Sequence, residues 1–157
     1  MILISIDPGS NNIGYCILYF DKNNITYLTS NSIKVNDNIF IYKLKFIYFK
    51  IMDILKYFNP KQSAIEKIFV GKNINSSLKL CQARTVIMLA LINFNIPIFE
   101  YNSKQIKKYS LNNIYSNKFY TRFFVKNIFN LYNVPSSDEA DSISIGITHI
   151  KNFNFNK

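Results

Sequence analysis

Acidic residues are scarce in this chain. It contains 9 Asp and Glu against 19 Lys and Arg, which leaves a formal net charge of +10. A charge of that size on a small protein attracts phosphates, so the composition favours a polyanionic partner. Lysine outnumbers arginine 17 to 2, however, and AT-rich coding DNA also favours lysine. Charge alone therefore does not decide what the partner is.

Histidine and cysteine are almost absent, which argues against a zinc site. The chain has 1 His and 2 Cys, and it contains no CxxC pair. Both cysteines, Cys16 and Cys81, lie in apolar segments. We therefore expect buried thiols of the kind found in proteins of the reducing cytosol.

Long apolar runs are also missing. No run reaches the roughly 18 residues that a membrane-spanning helix needs. The N-terminus has neither a basic leader nor a small-residue cleavage site. We therefore expect a cytoplasmic protein that has no signal peptide and no membrane partner.

The apolar residues that are present, 48% of the chain, suffice for the core of one domain over residues 1–157. Their periodicity predicts helices and strands in an alternating order. The predicted elements are strands over 2–7, 13–20 and 25–33, a helix over 39–58, a strand over 63–69, a helix over 74–93, a strand over 96–101, and helices near 103–109, 117–132 and 137–151. This order predicts an α/β fold with a mixed central sheet.

Two of the few carboxylates belong to predicted strands. Asp7 ends the first strand, where an Asp would normally disfavour the strand and meet an apolar core. Alternatively, Asp7 only begins the turn with Pro8 and Gly9. Glu66 lies in a short apolar strand and has no turn to serve; its alternative is a solvent-facing strand position.

The segment 136–149, SSDEADSISIGITH, places three carboxylates within four positions. Ser136 and Glu139 have the S-x-x-E spacing of a capping box, which accounts for Glu139. Asp138 and Asp141 are three residues apart and share a helix face. The helix dipole stabilises acids in the first turn by about 0.3–1 kcal/mol, which explains Asp138 better than Asp141.

A metal site would use the four acids other than Glu139. Four carboxylates at one edge of a sheet would repel one another strongly unless a cation offset their charge. Oxygen ligands without His or Cys suit Mg²⁺ or Mn²⁺. Two such ions roughly 3.5–4 Å apart can activate a water and stabilise the leaving oxygen of a phosphodiester. The basic charge would then serve to bind the phosphodiester substrate.

Four blocks of the sequence resemble the RuvC family of Holliday-junction resolvases in order and spacing. They are IDPGSNNIGY (6–15), AIEKIFVGKN (64–73), SLKLCQAR (77–84) and DEADSISIGITH (138–149). The resemblance runs through nearly the whole chain. It implies a ribonuclease H-like fold, with helices on both faces of the sheet, and a homodimer. It also implies Mg²⁺-dependent paired nicking of four-way DNA junctions in recombination and repair, with RuvA- and RuvB-type branch-migration proteins as further partners.

The resemblance also implies roles for individual residues. The family's catalytic carboxylates, which bind two Mg²⁺ or alternatively Mn²⁺ ions, fall on Asp7, Glu66, Asp138 and Asp141. DNA contacts fall on Phe69, Lys72, Lys107 and Lys118. Phe69 matches the aromatic that wedges or stacks at the junction centre, although an ordinary core phenylalanine is the alternative. The dimer-forming helix would contribute Leu78, Leu80 and Arg84.

The chain departs from the family pattern in three places. The loop between Lys107 and Lys118 lacks the glycines that the family has near Asn112 and Ile114, and a β-branched residue does not tolerate a positive φ. Cys81 stands where glycine is usual, and the chain ends without the basic tail common in relatives. A catalytically weakened protein that only binds junctions is therefore the alternative to an active resolvase.

Overall fold

The computed structural model describes residues 1–22, 24–69, 71, 73–111 and 117–155. In this part of the chain, five strands form one mixed sheet in the order β3-β2-β1-β4-β5. The strands are β1 (Ile2–Asp7), β2 (Asn12–Phe20), β3 (Ile25–Lys34), β4 (Gln62–Glu66) and β5 (Ile98–Tyr101). β1 is parallel to β4 and β4 is parallel to β5, whereas β2 is antiparallel to both of its neighbours. The carboxyl ends of β1, β4 and β5 therefore lie at the same edge.

Five helices accompany the sheet in the described ranges. They are α1 (Phe40–Phe58), α2 (Ile74–Asn93), α3 (Ser103–Leu111), α4 (Lys118–Ile128) and α5 (Ser137–Phe155). α1 shows why such segments are helical, because its buried residues Ile47, Ile51 and Leu55 recur every four positions and form one apolar stripe. No helix in these ranges combines the length and the apolar content needed to cross a bilayer.

The two faces of the sheet build two separate cores. Along β1, Ile4 and Ile6 join one core and Leu3 joins the other, because successive side chains of a strand point to opposite faces. Buried residues of α1 and α2 complete the first core, and those of α3, α4 and α5 complete the second. The predicted α/β architecture, with helices on both faces of a mixed sheet, is confirmed.

β4 is shorter than predicted. The apolar pattern indicated a strand over 63–69, but the strand ends at Glu66. Glu66 pairs with Tyr101, the last residue of β5, and α3 begins two residues later at Ser103. Beyond Glu66, β5 therefore offers only the Tyr101 carbonyl, which accepts a hydrogen bond of 2.8 Å from the Lys67 N–H. The pairing with β5 sets the end of β4, and the local apolar pattern of the sequence does not reveal it. β5 likewise begins at residue 98 and not at 96.

α4 is also shorter than predicted. The pattern indicated a helix near 117–132, and the helix ends at Ile128. Asn130 has a φ of 50°, in the left-handed region that asparagine tolerates, so the chain turns there. Leu131, beyond the turn, still packs against the second core. The apolar periodicity therefore continued past the true helix end.

One burial prediction is wrong. Cys16 is buried as expected, but Cys81 is exposed. α2 directs a different side, which includes Ala83, Ile87 and Leu91, into the core. Because almost the whole of α2 is apolar, its sequence did not reveal which side faces outwards.

Candidate active site

Parallel pairing of β1 with β4 places two carboxylates side by side. The register pairs Ile6 of β1 with Ile65 of β4. The next residue is Asp7 in β1 and Glu66 in β4. Both side chains are partly buried at the carboxyl end of their strands. Glu66 therefore does not lie on an open, solvent-facing strand surface. Asp7 stands at the edge of the sheet where the other carboxyl ends also lie.

Gly14 allows the first turn of α5 to lie against this edge. Gly14 belongs to β2 and pairs with Asp7. A Cβ at this position would stand 1.9 Å from the backbone oxygen of Asp138, far inside any real contact distance. The backbone of Asp138 therefore packs directly on β2, next to Asp7. Any larger residue at position 14 would push the two elements apart.

A second close contact fixes α5 along the sheet. Ser5 of β1 donates a hydrogen bond of 2.7 Å from its hydroxyl to the carbonyl oxygen of Ser142. A Cβ on Gly146 would stand 2.7 Å from both Ser5 Oγ and a methyl carbon of Leu18. Glycine here lets the helix approach β1 and β2 closely, which holds Asp141 near the ends of β1 and β4.

The predicted capping box is confirmed. The Ser136 N–H donates to Glu139 Oε2 at 2.8 Å, and the Glu139 N–H donates to Ser136 Oγ at 3.3 Å. The other oxygen of Glu139 accepts a hydrogen bond of 3.3 Å from the hydroxyl of Ser30 on β3. Glu139 is thus engaged at the helix start, as the spacing indicated, and its two neighbouring acids are left for other roles.

Burial and mutual repulsion show that the four carboxylates form one electrostatic cluster. Burial raises the pKa of Asp7 well above its ordinary value, and the charges of Asp141, Glu66 and Asp138 raise it further. Burial also raises the pKa of Asp141 to about 6, with Lys118 acting in the opposite direction. The structure therefore brings together all four carboxylates that the sequence singled out.

The donor set of this cluster fits a divalent cation by its chemistry. Its donors are anionic oxygens, which Mg²⁺ and Mn²⁺ prefer, and a bound cation would offset their repulsion. Within the described residues, however, no three acidic, His or Cys side chains are already placed so that they could share one ion. Enclosing an ion would therefore require some of the carboxylates to move from these positions.

A cleft of about 620 Å³ opens beside the cluster. Glu66 and Asp141 line it on one side, and Lys107 of α3 and Lys118 of α4 line it as well. The two lysines that the sequence analysis assigned to DNA thus lie in the same cleft as two of the acids. Such a combination can hold a phosphate group near carboxylates.

Phe69 lies outside this cleft. It follows β4 by three residues and is 69% exposed, so the alternative interpretation as a core phenylalanine is wrong. Lys72 lies outside the described residues, as do Asn112 and Ile114 of the loop with the missing glycines.

The three predicted interface residues of α2 differ in their surroundings. Leu78 is 56% exposed and Leu80 is half-buried. Arg84 is partly buried, and its guanidinium lies 2.9 Å from Glu100 Oε2. Its Nε–H also donates to the backbone oxygen of Glu66 at 3.2 Å. The described contacts of Arg84 therefore support the end of β4 from within the same chain, a role that nothing in the sequence pattern indicated.

Two serines at the site were also missed. Ser103 lies in the cleft and donates to Glu66, and Ser32 donates to Asp138. The strand order would have revealed Ser103, because it follows a strand parallel to β4. Ser32 depends on the β2–β3 register, which shifts at Ile17 and Leu18, and no sequence signal marks that irregularity.

Comparison with known proteins decides the family. The model of the family described as crossover junction endodeoxyribonuclease RuvC matches residues 3–149. The chain belongs to the RuvC family.

Relatives within the RuvC family align with the chain over most of their length. RuvC from Wigglesworthia glossinidia brevipalpis is 41% identical over 148 residues, which cover 94% of this chain and 92% of that protein. RuvC from Baumannia cicadellinicola is 40% identical over 148 residues, with 94% and 86% covered. The chain is thus a metal-dependent endodeoxyribonuclease of the Holliday-junction resolvase class.

Solved RuvC structures share the fold. Thermus thermophilus RuvC in complex with its Holliday junction substrate superposes with a TM-score of 0.90 at 21% identity, covering 99% of this chain and 96% of that one. The fowlpox virus Holliday junction resolvase gives a TM-score of 0.58 at 21% identity, covering 97% and 99%. The sheet and helices therefore have the ribonuclease H-like arrangement of RuvC.

Proposed function

We propose that this RuvC-family chain resolves four-way DNA junctions by paired symmetric nicks in recombination and repair. The observation that supports this most strongly is the gathering of four carboxylates from β1, β4 and α5 beside a cleft lined by lysines. A phosphodiester would lie in that cleft within reach of the acids. One sheet carries both cores of the described residues, so we treat residues 1–157 as one nuclease domain.

Asp7, Glu66, Asp138 and Asp141 would hold two divalent cations, Mg²⁺ or alternatively Mn²⁺. Such a pair activates a water and stabilises the leaving oxygen of a phosphodiester. The charges of the other three carboxylates all raise the pKa of Asp7, which supports a position for Asp7 among the residues that would hold the cations. The protein contributes the positions of these ligands, through the ends of β1 and β4 and the closely packed start of α5.

Lys107 and Lys118 would bind the phosphates that flank the cut. They approach the cleft from α3 and α4 and offset part of the charge of Asp141. Lysine acts as a point charge and does not impose the paired geometry of arginine, so these contacts tolerate variation in the DNA backbone. Lys72 would add a further phosphate contact. Phe69, which is exposed, would stack on an unpaired base at the junction centre.

A homodimer would supply the second site. Two cuts related by two-fold symmetry need two sites, and an isologous dimer presents them. α2 exposes large apolar side chains on one side in two pairs, Ile74 with Leu78 and Leu89 with Ile92, with Gln82 and Thr85 between the pairs. Because exposed apolar residues of this kind mark protein contacts, we place the dimer contact on this side of α2, with Leu80 and Arg84 at its border.

Two features of the cellular setting complete the proposal. The substrate would be junction DNA formed in recombination, and the protein would act in the cytoplasm. RuvA- and RuvB-type proteins would move the branch point to the enzyme. A protein that binds junctions without cutting them is the alternative, and the grouping of all four carboxylates beside the cleft favours the enzyme.

A labelled synthetic four-way junction tests the proposal. Purified protein with Mg²⁺ should produce two symmetric nicks, and an equal-length duplex should stay intact. Asp7→Asn keeps the side-chain shape but removes one charge, so cleavage should fall by several orders of magnitude while junction binding persists. If the wild type binds the junction but does not cut it, the protein is one that only binds junctions. Full cleavage by Asp7→Asn would exclude the carboxylate site.

A further inference from the structure

The four carboxylates of the site fall into two pairs by their hydrogen bonds. Glu66 Oε1 accepts a hydrogen bond from the hydroxyl of Ser103, and Asp138 Oδ2 accepts one of 3.0 Å from the hydroxyl of Ser32. Asp7 and Asp141, in contrast, accept no hydrogen bond from any residue that the structure describes. Each serine binds one oxygen of its carboxylate, which leaves the other oxygen available to a cation.

Ser103 lies at a helix start beside the edge of the sheet. It is the first residue of α3, two residues after Tyr101, which ends the strand that pairs with β4. The helix start is closed by two reciprocal hydrogen bonds of 2.9 Å, from the Gln105 N–H to the Asn102 side chain and from the Asn102 N–H to the Gln105 side chain. The Ser103 hydroxyl thus reaches Glu66 from a capped helix start.

Ser32 is fixed in the same way by the sheet. It pairs with Gly14, and Gly14 in turn pairs with Asp7, so the three residues form one row across β3, β2 and β1. The backbone of Asp138 packs on Gly14, the middle residue of that row. Ser32 thus reaches the Asp138 side chain from the adjacent strand.

We propose that Ser103 and Ser32 are positioning residues that hold Glu66 and Asp138 at the site while Asp7 and Asp141 close around the cations, and that the two serines so set the metal affinity. This inference rests on the proposed function. Neighbouring anionic side chains repel one another and would rotate apart, and a hydroxyl donor from a rigid element opposes that rotation. Groups that orient metal ligands in this way typically change metal affinity or activity by about 10–100-fold when they are removed.

The test removes each hydroxyl and measures metal binding directly. Ser103→Ala and Ser32→Ala should each weaken Mn²⁺ binding, measured by calorimetry without DNA, by about 10–100-fold. The half-saturating metal concentration for junction cleavage should rise in parallel, and saturating metal should restore most of the rate. Ser103→Thr and Ser32→Thr keep the hydroxyl and should bind Mn²⁺ nearly as the wild type does.

Ser30→Ala is the matched control. Ser30 also belongs to β3 and donates to a carboxylate, but its acceptor is the capping residue Glu139. Its loss should leave Mn²⁺ affinity unchanged. Wild-type Mn²⁺ affinity in both alanine variants, with folding verified by circular dichroism, would overturn the positioning role, as would equal weakening in Ser30→Ala. A wild type that neither binds Mn²⁺ nor cuts junctions would instead overturn the proposed function.

Discussion

At the scale of single residues, two acids of the same helix turn are expected to behave in opposite ways. Glu139 belongs to the capping box, so Glu139→Gln should keep most cleavage and lose at most about 1 kcal/mol of stability. Asp141→Asn removes one charge from a crowded cluster. The metal-free variant should therefore be at least as stable as the wild type, while cleavage collapses.

Melting curves with and without Mg²⁺ check this pair of variants. A ligand that binds only the folded state raises the melting temperature, so Mg²⁺ should raise it for the wild type and for Glu139→Gln. The increase should be much smaller for Asp141→Asn. Loss of cleavage in Glu139→Gln together with its retention in Asp141→Asn would reverse the two assignments.

His149 should make stability depend on pH. Burial lowers its pKa from 6.5 to about 4, and its ring lies between the Tyr101 hydroxyl and Gln62 Oε1, each at 2.9 Å. Between these two pH values the unfolded chain binds more protons than the folded one at this residue. Its contribution to stability is therefore complete above pH 6.5, and up to about 3 kcal/mol is lost as pH falls to 4.

Comparison with His149→Gln isolates this contribution. Asp141, whose pKa burial raises to about 6, titrates in the same range with the opposite sign, and it is present in both proteins. Urea unfolding of the metal-free proteins at several pH values gives the difference in free energy of unfolding. That difference should widen in favour of the wild type as pH rises from 4 to 6.5. A constant difference would contradict the lowered pKa.

At the scale of helices and strands, the approach of α5 to β2 controls the site. Gly14→Ala would place a methyl group against the Asp138 backbone, which must shift. We expect a loss of about 1–3 kcal/mol from overpacking. Displacement of Asp138 and Asp141 should also lower cleavage by more than tenfold. Gly71→Ala is the control, because its Cβ would meet only ordinary contacts, at 3.8 Å from Ser77 Oγ. Equal stability and cleavage in both variants would show that α5 does not need the close approach.

The exposed side of α2 gives a separate prediction. Leu78→Arg would place a charge in the proposed dimer contact without entering the core, since Leu78 is mostly exposed. The variant should fold and elute as a monomer in size-exclusion chromatography with light scattering. Tyr57→Arg, on the exposed side of α1, should remain dimeric. Leu80 is a poorer choice because it is half-buried. A dimeric Leu78→Arg protein would place the contact elsewhere.

Most elements could be predicted from local patterns, but their contacts could not. The alternation of β1 and the four-residue spacing in α1 reflect burial on one face, which a sequence records directly. The end of β4 and the exposure of Cys81 depend on neighbouring elements. The same holds for the site. Its carboxylates could be predicted because acids are unusual at the ends of apolar strands and helices in this chain. Ser32 and Ser103 could not, because nothing distinguishes them from other serines until the strand order is known.

At the scale of the whole molecule, the net charge of +10 should appear as a steep salt dependence. If about 6–10 phosphates are neutralised, the logarithm of junction affinity should fall linearly with the logarithm of salt concentration, with a slope near −5 to −9. Titrations at several salt concentrations with catalytically inactive Asp7→Asn measure this. The junction should bind more tightly than an equal-length duplex throughout. Equal affinities would indicate attraction to charge alone.

The arrangement of the sheet also has a consequence in time. The site takes Asp7 from the first strand and Asp141 from the last helix, and each contributes to one cluster. Synthesis adds about 5–20 residues per second, so Asp7 leaves the ribosome on the order of ten seconds before Asp141. Until α5 docks on β1 and β2, the site has only two of its four carboxylates, Asp7 and Glu66. A partly made protein therefore cannot cut DNA, and nuclease activity begins only when folding is complete.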